Sequence, residues 1–129
     1  MSDNNKDLIV KLHHASLIVK DLDIALAFYQ GILGLEVGHH RPDLGYAGVW
    51  LTLPGKQQLH LMVLDNPDKN SQRPQHGGRD HHIAFAVSSI EKLMRSLDTS
   101  AVPYSRSKSG RKALFCRDPD GNALEFIQS

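Results

Sequence analysis

An internal repeat constrains the fold of this chain more than any other feature, because the same order of elements occurs twice. Residues 11–64 are predicted to form a strand, a helix and three further short strands, and residues 81–128 the same series. Neither half alone can bury both one face of its sheet and the apolar stripe of its helix. A chain of 129 residues is long enough for one compact domain. We therefore expect a single α+β domain, residues 1–129, in which two modules pair edge to edge into a curved mixed sheet with outer helices and a concave face.

Local signals mark the two predicted helices. The first, over residues 21–34, begins at the candidate N-cap Asp21 and ends at Gly34, which can adopt the left-handed conformation of a helix stop. In the second half, Ser88 and Glu91 have the spacing of a capping box. Helical spacing predicts that the apolar stripe of the first helix comprises Leu22, Ala25, Leu26, Tyr29, Ile32 and Leu33.

Two segments rich in turn-forming residues separate the remaining elements. Residues 65–80, DNPDKNSQRPQHGGRD, combine Pro, Gly, Asn and charged residues and are predicted to be the linker between the modules. Residues 118–122, DPDGN, are predicted to be a hairpin turn between the last two strands. Because the full spacing of a calcium loop is missing, a turn is the favoured interpretation.

Composition excludes several classes of protein. Fifteen Lys and Arg against fourteen Asp and Glu give a net charge of +1, so the chain lacks the basic field of a nucleic-acid binder. No apolar run approaches the roughly 18 residues of a membrane helix, and the polar start, residues 1–7, does not resemble a secretory signal. The single cysteine, Cys116, cannot form an intrachain disulfide and fits a reducing compartment. We expect a cytoplasmic protein with no nucleic-acid or membrane partner.

The eight histidines are numerous for a small neutral chain, and strand parity separates them. Successive side chains of a strand point to opposite faces. On the first strand of each module, the apolar residues face the helix, and His14 and His82 lie on the other face of the sheet. On the last strand of each module, His60 and Glu125 are predicted to lie on that same face, away from the helix. The repeat is respected, since 68 residues separate His14 from His82 and 65 separate His60 from Glu125. These four residues therefore form a predicted metal site on the concave face, with room left by Ala84, Ala86 and Ala123.

Other residues admit both a binding role and a plain structural one. His60 is also a candidate substrate contact, and Cys116 is predicted to be a small buried residue, not a nucleophile. The other histidines are predicted to be polar strand starts or solvated loop residues: His13, His81, His39, His40 and His76. Side chains that could line a substrate pocket, or simply pack, are Trp50, Thr52 and Met62. A basic run could clamp a substrate carboxylate or phosphate, or form an exposed hairpin loop: Arg106, Lys108, Arg111 and Lys112.

The motifs together resemble the vicinal oxygen chelate superfamily, which includes glyoxalases, fosfomycin-resistance proteins, bleomycin-resistance proteins and extradiol dioxygenases. The resemblance extends over residues 11–128 and is carried by HASLIVKDL at 14–22, FY at 28–29, LGL at 33–35, QLHL at 58–61, HIAFAV at 82–87 and DPDGNALEF at 118–126. It implies paired βαβββ modules and a divalent metal held at the first and last strands of each, here His14, His60, His82 and Glu125. By similarity alone, it also implies a homodimer, because in many members the metal cup forms between modules of two chains.

The resemblance implies a metal-dependent enzyme acting on a small oxygen-rich substrate. Three imidazoles and a carboxylate suit Zn, Ni, Co, Mn or Fe. The candidate catalytic residues are Glu125, as a ligand or general base, and His60, as a ligand, base or substrate contact. A glyoxalase-like lyase or isomerase is favoured, although His60 stands where glyoxalase I enzymes typically carry a glutamate. The alternatives are a thiol transferase to an epoxide antibiotic, an extradiol-type dioxygenase and a non-catalytic binding protein of the bleomycin-resistance type.

Overall fold

The computed structural model describes residues 5–129 and contains two modules with the same order of elements. The polar start considered above therefore lies partly outside the described residues, at positions 1–4. The first module consists of β1 (His14–Val19), α1 (Leu22–Leu26), a π-helical segment (Ala27–Ile32), β2 (Glu36–Val37), β3 (Gly48–Thr52) and β4 (Gln58–Val63). The second consists of β5 (His82–Val87), α2 (Ile90–Thr99), β6 (Tyr104–Arg106), β7 (Ala113–Arg117) and β8 (Ala123–Gln128). The predicted α+β class and the repeated strand and helix order are confirmed.

Each module forms one four-stranded sheet, with strand order β1-β4-β3-β2 in the first and β5-β8-β7-β6 in the second. In each sheet the first and last strands of the module are parallel neighbours, and the other pairs are antiparallel. Within residues 5–129 no backbone ladder joins β1 to β5, so two adjacent sheets stand in place of one continuous sheet. Side chains bridge them instead. The amide of Lys20 donates to Asp120 Oδ1 at 2.8 Å, and Asn122 Nδ2 donates to the carbonyl of Ile18 at 3.1 Å.

One cluster of buried apolar side chains draws on both modules, with the helices and one face of each sheet contributing. Its most deeply buried members include Val19, Tyr29, Leu51, Leu59, Leu61, Ile90, Leu97, Leu114 and Leu124. Full burial of one such leucine stabilises the fold by about 2 kcal/mol. The helix-facing side of the sheets therefore packs in the core, and the opposite side is the one on which site residues can lie.

The first helix widens after its first turn. Asp21 is the N-cap as predicted and accepts a hydrogen bond from the Ile24 amide at 3.0 Å. From Ala27–Ile32 the helix is π-helical, and the Leu33 amide donates to the carbonyl of Phe28, five residues back, at 3.0 Å. The extra residue per turn changes the phase of the apolar stripe. Phe28, which the predicted stripe omits, is buried beside its neighbour Tyr29, three residues after the buried Ala25.

The second helix begins one residue later than predicted. Its N-cap is Ser89, whose hydroxyl accepts from the Lys92 amide at 3.1 Å, so the predicted capping box at Ser88 is wrong. The start is fixed by tertiary contacts, because Ile90 is buried and its amide donates to Gln128 Oε1 at 3.0 Å.

The segment 65–80 is more than a linker, because its C-terminal part is bound to the second module. Asp80 is buried and accepts hydrogen bonds from both Arg73 and Arg117, with Arg73 Nε and Arg117 Nη1 at 3.1 and 2.9 Å from Oδ2. The hydrogen bonds of these guanidinium groups, Arg73 first, hold the pKa of Asp80 at about 2. Composition predicts turns here but does not reveal partners that lie far away in the sequence.

The turn at residues 118–122 is confirmed, and it also joins the modules. Tyr29, on the helix of the first module, donates its hydroxyl to Asp118 Oδ2 at 2.6 Å. Asp118 is buried and accepts as well from the amides of Asp120 and Asn122, each at 2.9 Å. Burial and the adjacent Asp118 carboxylate raise the pKa of Tyr29 far above its ordinary value. The phenol is therefore a permanent donor across the contact between the two modules.

Candidate metal centre

The sheet registers place the four predicted ligands in equivalent positions. His14 precedes the register partner of His60 by two residues on β1, and His82 precedes the register partner of Glu125 by two residues on β5. Side chains two positions apart share one face of a sheet. The parity argument is therefore consistent with the observed pairing, which forms one pair of candidate ligands in each module.

In the first module, His60 is packed between aromatic rings. Its ring centroid lies 4.0 Å from that of His14 and 4.3 Å from that of Trp50, with interplanar angles of 14° and 7°. Nε2 of His60 lies 2.8 Å from Gln58 Oε1. Burial, and then the proximity of His14, lowers the pKa of His60 to about 4. At neutral pH His60 is an uncharged imidazole, which is the form that binds a metal ion.

In the second module, the hydrogen bonds of His82 define its tautomer. Nδ1 lies 2.8 Å from the carbonyl oxygen of Asp80, and Nε2 lies 3.1 Å from Glu125 Oε1. A carbonyl oxygen only accepts, so Nδ1 carries the hydrogen and the neutral ring presents a lone pair at Nε2. That lone pair faces a carboxylate oxygen, which is also an acceptor. Such a pair is satisfied by a proton shared between the two groups or by a cation bound to both.

The second oxygen of Glu125 is held by a residue of the basic run. Arg111 Nη2 donates to Glu125 Oε2 at 3.0 Å, and Arg111 Nε donates to Ser109 Oγ at 3.0 Å. The side chain of Glu125 is only 7% exposed, whereas that of Arg111 is 54% exposed. An exposed cation therefore contacts a buried carboxylate of the chain itself. The sequence had suggested that this basic run either binds a substrate anion or forms an exposed hairpin loop.

Phe115 forms the wall beside the second pair. It is the register partner of Glu125, as Trp50 is of His60, and its ring lies edge-on to that of His82 with centroids 5.7 Å apart. An aromatic side chain on the neighbouring strand therefore flanks the candidate ligands in both modules. Trp50 thus contacts one of the candidate ligands, His60.

The structure brings the four candidate ligands together as two pairs. Across residues 5–129, no group of three or more His, Cys, Asp or Glu side chains is arranged to hold a metal ion. A cavity of about 460 Å³ lies between the modules and is lined by Ser16 and Ile18 of β1 and by His82 of β5. A centre that contains all four residues remains a prediction.

His76 corrects a prediction, since it is not a solvated loop residue. Its ring is half-buried against Phe115, with centroids 5.0 Å apart, and its Nδ1 accepts from the Gly78 amide at 3.0 Å. A Cβ at Gly78 would lie 2.9 Å from the His76 ring. The sequence His-Gly-Gly was the available signal, because consecutive glycines permit close packing of a turn.

The remaining candidates have structural roles. His13 and His81 are exposed and precede their strands, where Nδ1 of His13 lies 2.9 Å from Nδ1 of His14 and the ring of His81 contacts Arg73. Cys116 is buried, and burial raises the pKa of its thiol to about 12. Among the described residues, no helix is both long and apolar enough to cross a membrane.

Comparison with known proteins identifies the family. The model of the Glyoxalase/Bleomycin resistance protein/Dioxygenase superfamily matches residues 11–126. An uncharacterized protein of Pseudomonas aeruginosa is 33% identical over 124 residues, covering 89% of this chain and 86% of the relative. Lactoylglutathione lyase of Haemophilus influenzae is 27% identical over 128 residues and covers 93% of each chain.

Among solved structures, the fosfomycin resistance protein FosX of Listeria monocytogenes is similar in fold. A mutant of FosX complexed with Mn(II) and 1S,2S-dihydroxypropylphosphonic acid gives a TM-score of 0.73 at 21% identity, covering 94% of this chain and 93% of that one. The chain therefore belongs to the Glyoxalase/Bleomycin resistance protein/Dioxygenase superfamily, also called the vicinal oxygen chelate superfamily.

Proposed function

We propose that this chain is a divalent-metal-dependent enzyme of the glyoxalase-like lyase or isomerase type, with His14, His60, His82 and Glu125 as the metal ligands. The observation that carries the proposal is the geometry of His82. Its Nδ1–H is bound to the Asp80 carbonyl while the Nε2 lone pair faces Glu125 Oε1 at 3.1 Å. Metal-binding histidines typically donate their other ring nitrogen to a carbonyl or carboxylate, which fixes the tautomer.

The donor set fits a borderline divalent ion. Neutral imidazole nitrogens and one carboxylate suit Zn, Ni, Co, Mn or Fe better than Mg or Ca. The Mn(II) complex of FosX supports the choice of a transition metal. When bound, such an ion supplies Lewis acidity toward neighbouring oxygens of a substrate.

The chain's own residues supply the proton transfer. Glu125 is a buried carboxylate whose two oxygens lie 3.1 Å from His82 Nε2 and 3.0 Å from Arg111 Nη2. We assign it the role of general base: it would accept a proton from a substrate carbon next to a carbonyl and return that proton to the neighbouring carbon, with His60 as a neutral ligand or a second base. The similarity to lactoylglutathione lyase supports a reaction of the lyase class.

A homodimer completes the site in this proposal. The His14–His60 pair belongs to one module and the His82–Glu125 pair to the other, and no three such side chains of residues 5–129 converge within one chain. We propose that the first module of one copy pairs with the second module of another. The substrate is a small molecule with neighbouring oxygens, and the cellular site of action is proposed to be the cytoplasm.

Metal binding tests the proposal first. The protein is purified without added metal, treated with a chelator and titrated calorimetrically with Zn, Ni, Co, Mn and Fe. We expect binding by the unaltered chain and by the control His39→Ala, an exposed loop variant, and loss of binding in His14→Ala and His82→Ala. Failure of the unaltered chain to bind any of these ions, or equal binding by all variants, would refute the metal site.

Mixed dimers test the shared site. His14→Ala and His82→Ala chains are refolded together. If each site combines the first module of one copy with the second module of the other, half of the sites in a mixed dimer regain all four ligands. Binding that stays absent in the mixture contradicts the composite site.

Assays of hemithioacetal isomerisation, thiol addition to an epoxide and catechol cleavage with Ni, Mn and Fe then distinguish the reactions, and lyase or isomerase activity is expected.

A further inference from the structure

Asp80, which stands two residues before β5, has a buried carboxylate that two arginines hold. Its side chain is only 4% exposed. Arg73 donates to both oxygens, through Nη2 to Oδ1 and through Nε to Oδ2 at 3.1 Å, and Arg117 Nη1 donates to Oδ2 at 2.9 Å. A guanidinium that donates with two nitrogens fixes the direction of a carboxylate as well as pairing its charge. The side chain of Asp80 is therefore held in one orientation.

The two arginines come from separate parts of the chain. Arg73 belongs to the segment 65–80, whereas Arg117 is the last residue of β7. The guanidinium of Arg117 also donates to the carbonyl oxygens of Gly121 at 2.7 Å and of Pro74 at 2.6 Å. The carboxylate is therefore held between the sheet of the second module and the segment that leads into it.

The backbone carbonyl of Asp80 is the acceptor for the ring of His82. Nδ1 of His82 lies 2.8 Å from this carbonyl oxygen, and Nε2, on the other side of the ring, lies 3.1 Å from Glu125 Oε1. The side chain of His82 is 25% exposed, so packing leaves the ring room to turn about its two side-chain bonds. The hydrogen bond to the carbonyl therefore selects the ring position in which Nε2 faces Glu125.

The first module holds its equivalent histidine differently. Two residues before His14 stands Leu12, which is 72% exposed and whose carbonyl accepts from Gln57 Nε2 at 3.3 Å. Nδ1 of His14 lies 2.9 Å from Nδ1 of its exposed neighbour His13. The arrangement at the start of β5 is therefore not a property of the repeated backbone, because particular side chains of the second module create it.

We propose that Arg73 and Arg117 are positioning residues for His82, acting through Asp80. By fixing the Asp80 carboxylate, they fix the carbonyl of the same residue. That carbonyl in turn holds the His82 ring with Nε2 toward Glu125. The use of this orientation to bind a divalent ion rests on the proposed function, whereas the orientation itself does not.

NMR of the metal-free full chain, in the presence of a chelator, tests the orientation of the ring. The His82 ring lies edge-on to Phe115 with centroids 5.7 Å apart, so nuclear Overhauser effects between the two rings report this position. The variant His82→Gln assigns the His82 ring signals. We expect these effects in the unaltered chain and their loss in Arg73→Gln, because the ring then turns among several positions.

Arg79→Gln is the matched control. It makes the same change of residue type and of net charge in the same segment, but Arg79 is exposed and forms no ion pair with a described residue. We expect it to retain the ring contacts. Arg73→Lys is the milder second variant, since lysine keeps the charge without the paired donors, and we expect weakened contacts. Circular dichroism and urea titration check that each variant is folded.

Calorimetric titration with Zn is the second measurement. We expect the dissociation constant to rise about tenfold or more in Arg73→Gln and less than about twofold in Arg79→Gln. A merely structural role of Arg73 would lower the free energy of unfolding while the ring contacts and the zinc affinity stay unchanged.

Three results would overturn the proposal: unchanged ring contacts in both Arg73 variants, equal losses in Arg73→Gln and Arg79→Gln, or lost contacts with an unchanged zinc dissociation constant. Unchanged ring contacts in a chain that binds zinc refute the positioning and leave the proposed function in place. Ring contacts that depend on Arg73 in a chain that binds no divalent ion support the positioning and refute the proposed function.

Discussion

The two modules hold their candidate ligands in the same register but in different chemical surroundings. His60 of the first module is stacked between His14 and Trp50, and its charge is suppressed by burial. His82 of the second module is fixed by the Asp80 carbonyl and faces a carboxylate. The repeated backbone therefore sets positions alone, while the neighbours of each pair decide whether it supplies neutral nitrogens or a negative charge.

The largest expected difference between the modules comes from Asp80 of the second module. Among the described residues, the first module has no equivalent buried carboxylate bound by two arginines. Asp80→Asn removes the charge that holds Arg73 and Arg117, so we expect a loss of about 2 to 3 kcal/mol in the free energy of unfolding by urea at pH 7. The exposed Asp65→Asn is the control, with little change expected. Equal stability of the two variants would show that the contacts of Asp80 do not stabilise the second module.

The pH dependence of this loss follows from the depressed pKa of Asp80, about 2 in the folded chain against an ordinary 3.8. A carboxylate with a lowered folded pKa stabilises above its unfolded pKa, and the contribution disappears as pH falls through the folded value. The difference in unfolding free energy between the unaltered chain and Asp80→Asn should therefore shrink between about pH 4 and pH 2. A constant difference across this range would contradict the assignment.

The next effect concerns the charge difference between the two pairs. Glu125→Gln removes the only carboxylate of the four candidate ligands, whereas His60→Gln removes one of three imidazoles. We expect the metal dissociation constant to rise by about 100-fold in the first variant and about tenfold in the second. Calorimetric titration with Zn and Mn measures both, and a larger effect of His60→Gln would reverse the comparison.

Arg111 should have a smaller effect of opposite sign. Its guanidinium donates to Glu125 Oε2 at 3.0 Å and has to compete with any bound ion for that oxygen. We expect Arg111→Gln to bind divalent ions about three- to tenfold more tightly, with the neighbouring Lys112→Gln as the control. Unchanged or weaker binding in Arg111→Gln would show that the arginine supports the site.

The smallest expected changes in unfolding free energy come from removing the side-chain caps at the start of each helix. Asp21→Ala and Ser89→Ala each remove one side-chain cap, from Ile24 and Lys92 respectively, and each should lower the unfolding free energy by about 1 kcal/mol. Urea titration of both variants, with Ser88→Ala as the control, checks whether the modules begin their helices equally well. A loss in Ser88→Ala equal to that in Ser89→Ala would restore the cap predicted from the sequence.

The sequence was most informative where structure depends on neighbouring residues. The strand faces predicted from alternation agree with the observed strand registers. Asp21 is a helix cap and residues 118–122 form a turn, as their local sequence predicts. The π-helical segment had no signal in the sequence, whose caps predicted one ordinary helix from Asp21 to Gly34.

Contacts between distant residues account for the other differences. Arg117 lies 37 positions from Asp80, and His76 packs on Phe115 across a similar distance, so composition alone predicted a solvated linker there. The local sequence made Ser88 a plausible helix cap, but the hydrogen bond from the Ile90 amide to Gln128 and the burial of Ile90 place the helix start one residue later. Arg111 reaches Glu125 through a loop whose path no periodicity describes.

The hydrogen bond between Tyr29 and Asp118 has a spectroscopic consequence. The chain has three tyrosines, and burial beside a carboxylate raises the pKa of Tyr29 far above its ordinary value. Tyr29 therefore stays un-ionised in alkaline solution for as long as the helix of one module remains docked on the turn of the other. Its phenolate absorbance would appear only when that junction opens, so the residue is an intrinsic optical probe of the separation of the two halves.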